Sequence, residues 1–209
     1  VYFDSLTANV AGRDSWYLRW TLSGPTGVLV ADRSFRESDS YDGLSVFDLG
    51  PGDYTLSVRA VASETDLTGD YSFRLLDLSS APLLTTGTPV SSVLNPANQS
   101  DAYRFEAKAG DRFFFDRREQ SGGDSWWRLL DPFGRTVWGP TSFGSDVDVT
   151  PLAFDGTYTL LIEGRYYVGG TASYGFNVSP APLTEPVVIS LVAVPGPDLG
   201  VQDLQVTPV

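Results

Sequence analysis

Three residue types that enzymes often use for nucleophilic, acid–base or redox chemistry are missing from this chain. Its 209 residues include no histidine, no cysteine and no methionine. The loop at Gly123-Asp124-Ser125 offers a serine hydroxyl, but without a histidine base the usual Ser-His-Asp arrangement cannot form. Zinc sites built on cysteine or histidine are excluded by the same composition. The sequence therefore predicts no catalytic residues.

Paired carboxylates are the remaining route to catalysis, since two of them can cleave a glycosidic bond. Asp146 and Asp148 lie on one face of a predicted strand, and Glu163 is the one acid near a suitable second position. Paired acids on a strand face are usually solvated. We therefore predict that the protein is not an enzyme.

Aspartates in loops can instead bind calcium, which prefers several carboxylate and carbonyl oxygens. Asp39 and Asp42 lie in a loop that corresponds roughly to the segment carrying Asp146 and Asp148. Neither pair has the spaced acidic pattern of an EF-hand loop. Two interpretations stay open: a calcium site at these four residues, or loop acids that contact only water.

Aromatic side chains are the second candidate for a binding site. Trp20 and Trp127 share a strand face with leucines, so we expect both in the core. Trp126 has the opposite parity, and Tyr166 and Tyr167 follow in a later loop. Exposed tryptophan and tyrosine stack on sugar rings or fill protein grooves. We therefore predict that these three residues either form a surface that binds polysaccharide or matrix protein, or pack over the junction between the two domains.

The charge of the chain limits its partners. It carries 26 acidic and 14 basic residues, a net charge of −12. Such a surface repels phosphate backbones, so we expect no nucleic-acid partner. The apolar run at 187–194 is far too short to span a bilayer, so we expect no membrane insertion.

The elements that must position these residues are short strands. The chain is 13% aromatic and has 21 glycines and 14 prolines, which suits strands and tight turns. Alternation recurs, as at Tyr158, Leu160 and Ile162, and turn signals such as Asp131-Pro132-Phe133-Gly134 separate the alternating segments. The predicted fold class is all-β, with two tandem antiparallel jelly-roll-like β-sandwiches and a C-terminal extended tail.

The tandem arrangement follows from an internal repeat. Trp20–Gly27 matches Trp127–Gly134, and the Tyr-x-Leu and Tyr-x-Phe segments that follow match in the same order. A repeat of roughly 100 residues is a whole small domain. We predict four parts: a first sandwich at 1–78, a linker at 79–87, a second sandwich at 88–180, and at 181–209 a tail or the start of a further domain.

Four motifs of the second copy occur in a recognisable order, and three of them recur in the first. The residues are Tyr103-Arg-Phe105 with Ala109-Gly110, then Leu129-Leu-Asp131-Pro132-Phe-Gly134, then Gly156-Thr-Tyr158-Thr-Leu160, then Tyr174-Gly-Phe176. This pattern resembles the bacterial pre-peptidase C-terminal domain. The first copy departs from it at Ser23-Gly24-Pro25 and at Gly52-Asp53-Tyr54. The resemblance implies a secreted β-sandwich of jelly-roll type. Domains of that family occur beside peptidases or as repeats in surface proteins, and some of them bind calcium, fibrous protein or polysaccharide.

The first copy starts late in the repeat. The second copy is preceded by strand segments at 88–94 and 101–107 for which the first copy has no room, so we expect it to lack its first strands. These strands would come from an upstream segment or from the tail of another subunit, by donor-strand complementation. The tail at 197–208 is similar to the opening of the bacterial cell-adhesion-related domain, which implies a modular surface protein.

The sequence as a whole predicts a non-enzymatic, extracellular or cell-surface structural and adhesion repeat protein. Its expected partners are copies of itself or neighbouring domains of a larger surface protein, with assembly through strand exchange and stabilisation by calcium. The alternative is a carbohydrate- or protein-binding accessory module of a secreted hydrolase.

Overall fold

The computed structural model describes residues 1–38, 46–64 and 66–182, together with the backbone of two strands further on. Strands dominate the described residues, with three short 3-10 helices at Ser15–Tyr17, Arg36–Ser38 and Leu78–Ser80. The strands are β1 (Tyr2–Val10), β2 (Leu18–Gly24), β3 (Gly27–Ser34), β4 (Thr55–Ala60), β5 (Gly69–Leu76), β6 (Val90–Leu94), β7 (Ser100–Ala107), β8 (Arg112–Ser121), β9 (Trp126–Leu130), β10 (Thr136–Ser142), β11 (Val147–Pro151), β12 (Gly156–Glu163), β13 (Ala172–Pro180), β14 (Ser190–Val194) and β15 (Asp203–Thr207). Within these residues no helix is both long and apolar enough to cross a membrane.

Strands β6 to β13 form two antiparallel sheets that enclose one apolar core. Among the described strands, one sheet has the order β10-β9-β12-β7 and the other β11-β8-β13-β6. Alternate residues point inward from each strand, as Tyr158, Leu160 and Ile162 do from β12, and all three are fully buried. This arrangement confirms the predicted all-β, antiparallel sandwich class.

A side-chain-stabilised turn sets the register of β9 and β10. One carboxylate oxygen of Asp131 accepts hydrogen bonds from the backbone N–H groups of Phe133 and Arg135, each at 2.9 Å. Gly134 completes the turn with a φ of +74°, which glycine adopts without steric cost. The turn thereby aligns Trp127 of β9 with the core.

Strands β1 to β5 form a second, smaller pair of sheets. The described strands pair in the orders β3-β2-β4 and β1-β5. Between them, the rings of Phe3 and Trp20 stack with centroids 4.0 Å apart. Trp20 and Trp127 are both fully buried, which confirms their predicted place in the core.

Strand β8 extends to Ser121 because it keeps pairing with β13 as far as Ser173. In the segment predicted as an extended tail, β14 and β15 pair with each other as an antiparallel hairpin. The remaining tail residues lie outside the described ones.

Candidate functional site

A buried polar network joins β1 to the sheet of β7, β9 and β12. The hydroxyl of Tyr2 donates to Glu163 Oε1 at 3.0 Å and is 3.2 Å from Ser100 Oγ. Arg128 Nε donates to Glu163 Oε2 at 3.2 Å. Glu163 is fully buried, so its carboxylate is committed to these partners and is not presented to a substrate. Burial raises the pKa of Tyr2, with a further contribution from the negative charge of Glu163.

A second set of polar contacts continues this network. Arg74 Nη2 lies 2.6 Å from Asp4 Oδ2 and 2.6 Å from the carbonyl oxygen of Ser100. The backbone N–H of Ser100 donates to the same Asp4 oxygen at 3.1 Å. Burial raises the pKa of Asp4 to about 6, against the opposing effect of the Arg74 charge. Asp4 and Arg74 belong to β1 and β5, so these contacts tie both strands to β7.

Apolar contacts surround the polar network. Tyr2, Leu78, Leu130 and Leu161 form a buried cluster of their own, separate from the cores of the two sheet pairs. Since Tyr2 comes from β1 and the two central leucines from β9 and β12, the cluster bridges the two sheet pairs. The junction therefore has the dry, paired character of a domain interior rather than that of a loose linker.

A cleft of about 460 Å³ opens beside this junction. Such a volume lies in the range typical of small-molecule sites. Its walls come from both sheet pairs and include Ser5, Thr7, Asn9, Asp14, Asn98, Tyr166 and Tyr167. The Asn98 side-chain amide donates to the carbonyl of Leu6 at 2.5 Å, which fixes one wall against the other.

Two of the three aromatic residues predicted to bind a partner, Trp126 and Tyr167, lie on one guanidinium group. Arg165 lies 5.2 Å from the ring centre of Trp126 and 5.3 Å from that of Tyr167. Trp126 is half-buried, whereas Tyr167 is 57% exposed and its hydroxyl donates to Asp124. Tyr166 lies against Arg36 of the other sheet pair, with 5.3 Å between guanidinium and ring centre.

Tyr166 and Tyr167 both line the cleft, and Tyr166 also contacts Arg36 of the other sheet pair. The sequence analysis missed Arg165, whose stacking on two rings depends on a loop conformation that carries no local sequence signal. The cleft offers aromatic, amide, hydroxyl and carboxylate groups, the set that suits a polyhydroxylated ligand.

The aspartates predicted to bind calcium are not gathered by the described part of the chain. Asp146 and Asp148 are exposed, and each accepts a backbone N–H, from Arg117 at 2.8 Å and from Val149 at 2.7 Å. Asp39 and Asp42 lie outside the described residues. Within those residues no group of three or more acidic side chains is placed to hold a metal ion. Calcium binding at the four positions stays a prediction.

The edges of strands β4 and β5 form another surface that could bind a partner. Matched register pairs show that β4 corresponds to β12, since Leu22 pairs with Leu56 as Leu129 pairs with Leu160. Strand β5 corresponds to β13 in the same way, since Phe3 pairs with Leu75 as Phe115 pairs with Val178. Strand β12 has neighbours on both sides, and so has β13, whereas among the described strands β4 and β5 each have one. The backbone groups on these edges are therefore open to a further strand.

Solved structures with limited similarity to the chain include a pre-peptidase C-terminal domain of a collagenase from Bacillus anthracis. That domain is 16% identical, with a TM-score of 0.37, covering 48% of this chain and 95% of the domain. A periplasmic inhibitor of g-type lysozyme, PliG, from Aeromonas hydrophila is 14% identical, with a TM-score of 0.35 over 47% of this chain and 95% of its own. PliG from Salmonella Typhimurium is 15% identical, with a TM-score of 0.33 over 48% and 100%. No protein-family model and no curated protein matches the sequence.

Proposed function

We propose that this chain is a non-enzymatic, extracellular structural and adhesion module that holds two β-sandwiches in a fixed relative position and assembles with other polypeptides through strand edges. The observation that carries the proposal is the buried network at the junction. Glu163 contacts both Tyr2 and Arg128 where the sheet pairs meet, and Asp4 contacts Arg74 and Ser100 beside them. Such a junction suits a rigid spacer.

The chemistry of the chain supports a non-catalytic role. Histidine and cysteine are absent from the sequence, and the buried Glu163 is occupied by Tyr2 and Arg128. A general acid or nucleophile must reach the substrate within hydrogen-bonding distance. Binding and spacing need only surfaces, which this chain has in its cleft and its strand edges.

Small-angle X-ray scattering of the full chain tests the rigid junction. At a protein concentration low enough to keep the chain monomeric, we expect one fixed arrangement of residues 1–182 to fit the wild-type profile. Arg74→Ala removes the contacts to Asp4 and Ser100, so its profile should require a spread of arrangements. Arg118→Ala is the matched control, because Arg118 pairs with Asp116 of its own strand, away from the junction. A wild-type profile that needs several arrangements would contradict the proposal.

A second candidate function is a carbohydrate-binding accessory module. Support comes from Tyr166 and Tyr167 at the wall of the cleft, beside the polar groups of Asn98 and Asp14. A glycan array with the full chain tests it. For any sugar that binds, Tyr167→Ala should weaken binding by about 5- to 100-fold, the effect of about 1–3 kcal/mol of lost stacking. Tyr71→Ala, an exposed tyrosine on β5, is the control, and an array without hits would exclude this candidate.

Calcium is the remaining part of the proposal. If Asp39, Asp42, Asp146 and Asp148 bind the ion structurally, EDTA should lower the melting temperature by several degrees. Binding to the folded state alone stabilises it by mass action. An unchanged melting curve would rule out tight structural calcium.

A further inference from the structure

The open edges of β4 and β5 leave apolar side chains uncovered that their counterparts bury. On β5, Tyr71 is 49% exposed and Leu75 is 55% exposed, whereas the matching Tyr174 and Val178 of β13 are 0% and 1% exposed. On β4, Leu56 and Val58 are half-buried, while the matching Leu160 and Ile162 of β12 are fully buried. The same alternating pattern is therefore covered in one sandwich and open in the other.

In the second sandwich, two further strands cover the apolar side chains of β12 and β13. Strand β6 pairs antiparallel with β13, and strand β7 pairs antiparallel with β12. Five residues, 95–99, cross from one sheet to the other between them. At the equivalent place in the first sandwich, two cavities of about 210 Å³ and 110 Å³ follow the edges. Tyr71 and Val58 line the larger one, and Leu75 and Leu56 line the smaller one.

The open edges of β4 and β5 and the two cavities beside them together form a slot. A segment that fills this slot must have a defined form. It needs two extended segments, joined by a connection that spans the roughly 10 Å between packed sheets. The first segment pairs antiparallel with β5 and the second with β4. Both must present apolar residues at alternate positions, as Leu94 of β6 and Phe105 of β7 do in the second sandwich.

Strands β14 and β15 have this form. Each has five residues, the length of β6, and among the described strands they pair only with each other. Their register pairs Leu191 with Val206 and Ala193 with Leu204. Apolar residues alternate along β15, and β14 is apolar at every position from Leu191 to Val194, so each strand can present apolar residues at alternate positions. The eight residues at 195–202 between them can reach about 26 Å when extended, ample for a crossing between sheets. An isolated two-stranded ribbon is only marginally stable in water, so an exchange of partners is feasible.

We propose that β14 and β15 of one copy fill the slot of a second copy, with β14 beside β5 and β15 beside β4. Within one chain these two strands pair with each other rather than with the slot, so a second copy brings donor and acceptor together. The contact is head-to-tail and does not close on itself, so repetition produces a linear filament. This inference rests on the proposed structural function and identifies the partner as the protein's own tail.

The absence of native cysteine gives a clean test with the full-length chain. A Tyr71→Cys variant is mixed under mild oxidation with variants that carry a single cysteine at each position of Ser190–Val194. We expect disulfides between chains at alternate positions, because successive side chains of a strand point to opposite faces. Val93→Cys is the control acceptor: Val93 is similarly exposed, at 51%, but lies on a strand that already fills its sandwich. It should form no disulfide.

Two further measurements keep the result interpretable. Val192→Pro removes a backbone donor from the tail strand, so it should abolish assembly while leaving the main thermal unfolding transition unchanged. A synthetic peptide of residues 187–207 should block the disulfides, and a peptide of residues 88–108, which spans β6 and β7, should compete for the same slot.

Three outcomes would overturn the inference. They are disulfides only within single chains, assembly of Val192→Pro at the wild-type level, and binding of the 88–108 peptide without binding of the 187–207 peptide. The last would assign the slot to a different strand donor. These outcomes are independent of the scattering profile that tests the rigid junction, so either proposal can fail alone.

Discussion

At the scale of single residues, the junction depends on charges that are held out of water. Glu163 and Arg128 are both almost fully buried, and the tyrosine hydroxyl of Tyr2 supplies a further partner for the carboxylate. A buried ion pair adds little net stability by itself, but the loss of one member leaves the other charge uncompensated. These residues therefore specify how the two sheet pairs meet.

Removing Arg128 is expected to be strongly destabilising. Arg128→Met leaves the buried Glu163 carboxylate without its cation, and we expect a loss of about 3–5 kcal/mol in the free energy of unfolding. Urea denaturation measures it. The double variant Arg128→Met/Glu163→Gln, which removes both charges, should recover a large part of the loss. A loss below about 1 kcal/mol for the single variant would show that the carboxylate is not held as described.

Asp4 gives the junction a pH dependence. Its pKa rises from 3.8 in the unfolded chain to about 6 in the fold. Between these values the folded state holds a proton that the unfolded state has released, so the stabilising contribution is complete below about pH 4 and is lost as the pH rises through about 6. Asp4→Asn cannot lose that proton. Relative to wild type, its stability should improve by about 3 kcal/mol between pH 4 and pH 7, measured by urea denaturation. Parallel pH profiles would contradict this.

At the scale of elements, the same strand pattern has different consequences in the two sandwiches. Leu56 and Leu160 occupy matching positions on β4 and β12, opposite Leu22 and Leu129. Leu160 is enclosed by strands on both sides, whereas Leu56 lines a cavity at an open edge. The energetic contribution of a core leucine depends on this enclosure.

Identical substitutions at these two positions measure the difference. We expect Leu160→Ala to cost about 2–5 kcal/mol, the range for a buried leucine, and Leu56→Ala to cost less than about half as much in dilute solution. Because part of the Leu56 side chain already faces open space, less enclosed contact is lost. Chemical denaturation of both variants at low protein concentration checks the expectation. Equal costs would mean that the edge of β4 is already covered.

The sequence alone predicted what local patterns determine. Alternation placed Trp20 and Trp127 in the core, and the Asp131 turn defined a hairpin. Tyr71 and Leu75 alternate as Tyr174 and Val178 do, but they are about half exposed whereas Tyr174 and Val178 are buried. Their exposure depends on the neighbouring strand and not on the sequence pattern.

The junction network could not be predicted for a similar reason. Tyr2 and Glu163 belong to different copies of the repeat and are 161 residues apart in the sequence. Their contact forms only when the two sheet pairs pack together. No periodicity or motif marks such a pair. Trp126 was identified by parity and Tyr167 by its position in a loop, but the contact of both rings with Arg165 depends on the folded loop.

At the scale of the whole molecule, a net charge of −12 opposes the association of copies. The proposed attraction between the slot and the tail comes from apolar contacts and backbone hydrogen bonds. Dissolved salt therefore does not weaken it as it would weaken a salt bridge. Assembly should therefore balance edge pairing against charge repulsion between chains.

Added salt is expected to promote assembly. Raising the NaCl concentration from about 20 to about 200 mM shortens the Debye length from roughly 20 Å to below 10 Å and screens the repulsion between acidic surfaces. Sedimentation velocity should show a larger assembled fraction at the higher salt concentration. A smaller fraction would indicate that ion pairs, and not strand edges, hold the copies together.

Hydrogen–deuterium exchange along β4 and β5, measured over a range of protein concentrations, tests most directly whether the edges of these strands are open. At low concentration we expect the amides of β4 and β5 to exchange much faster than those of β12 and β13. At high concentration protection should rise on β4 and β5 and stay constant on β12 and β13, as the edges gain partners. Equal protection of the matched strands at every concentration would contradict the account.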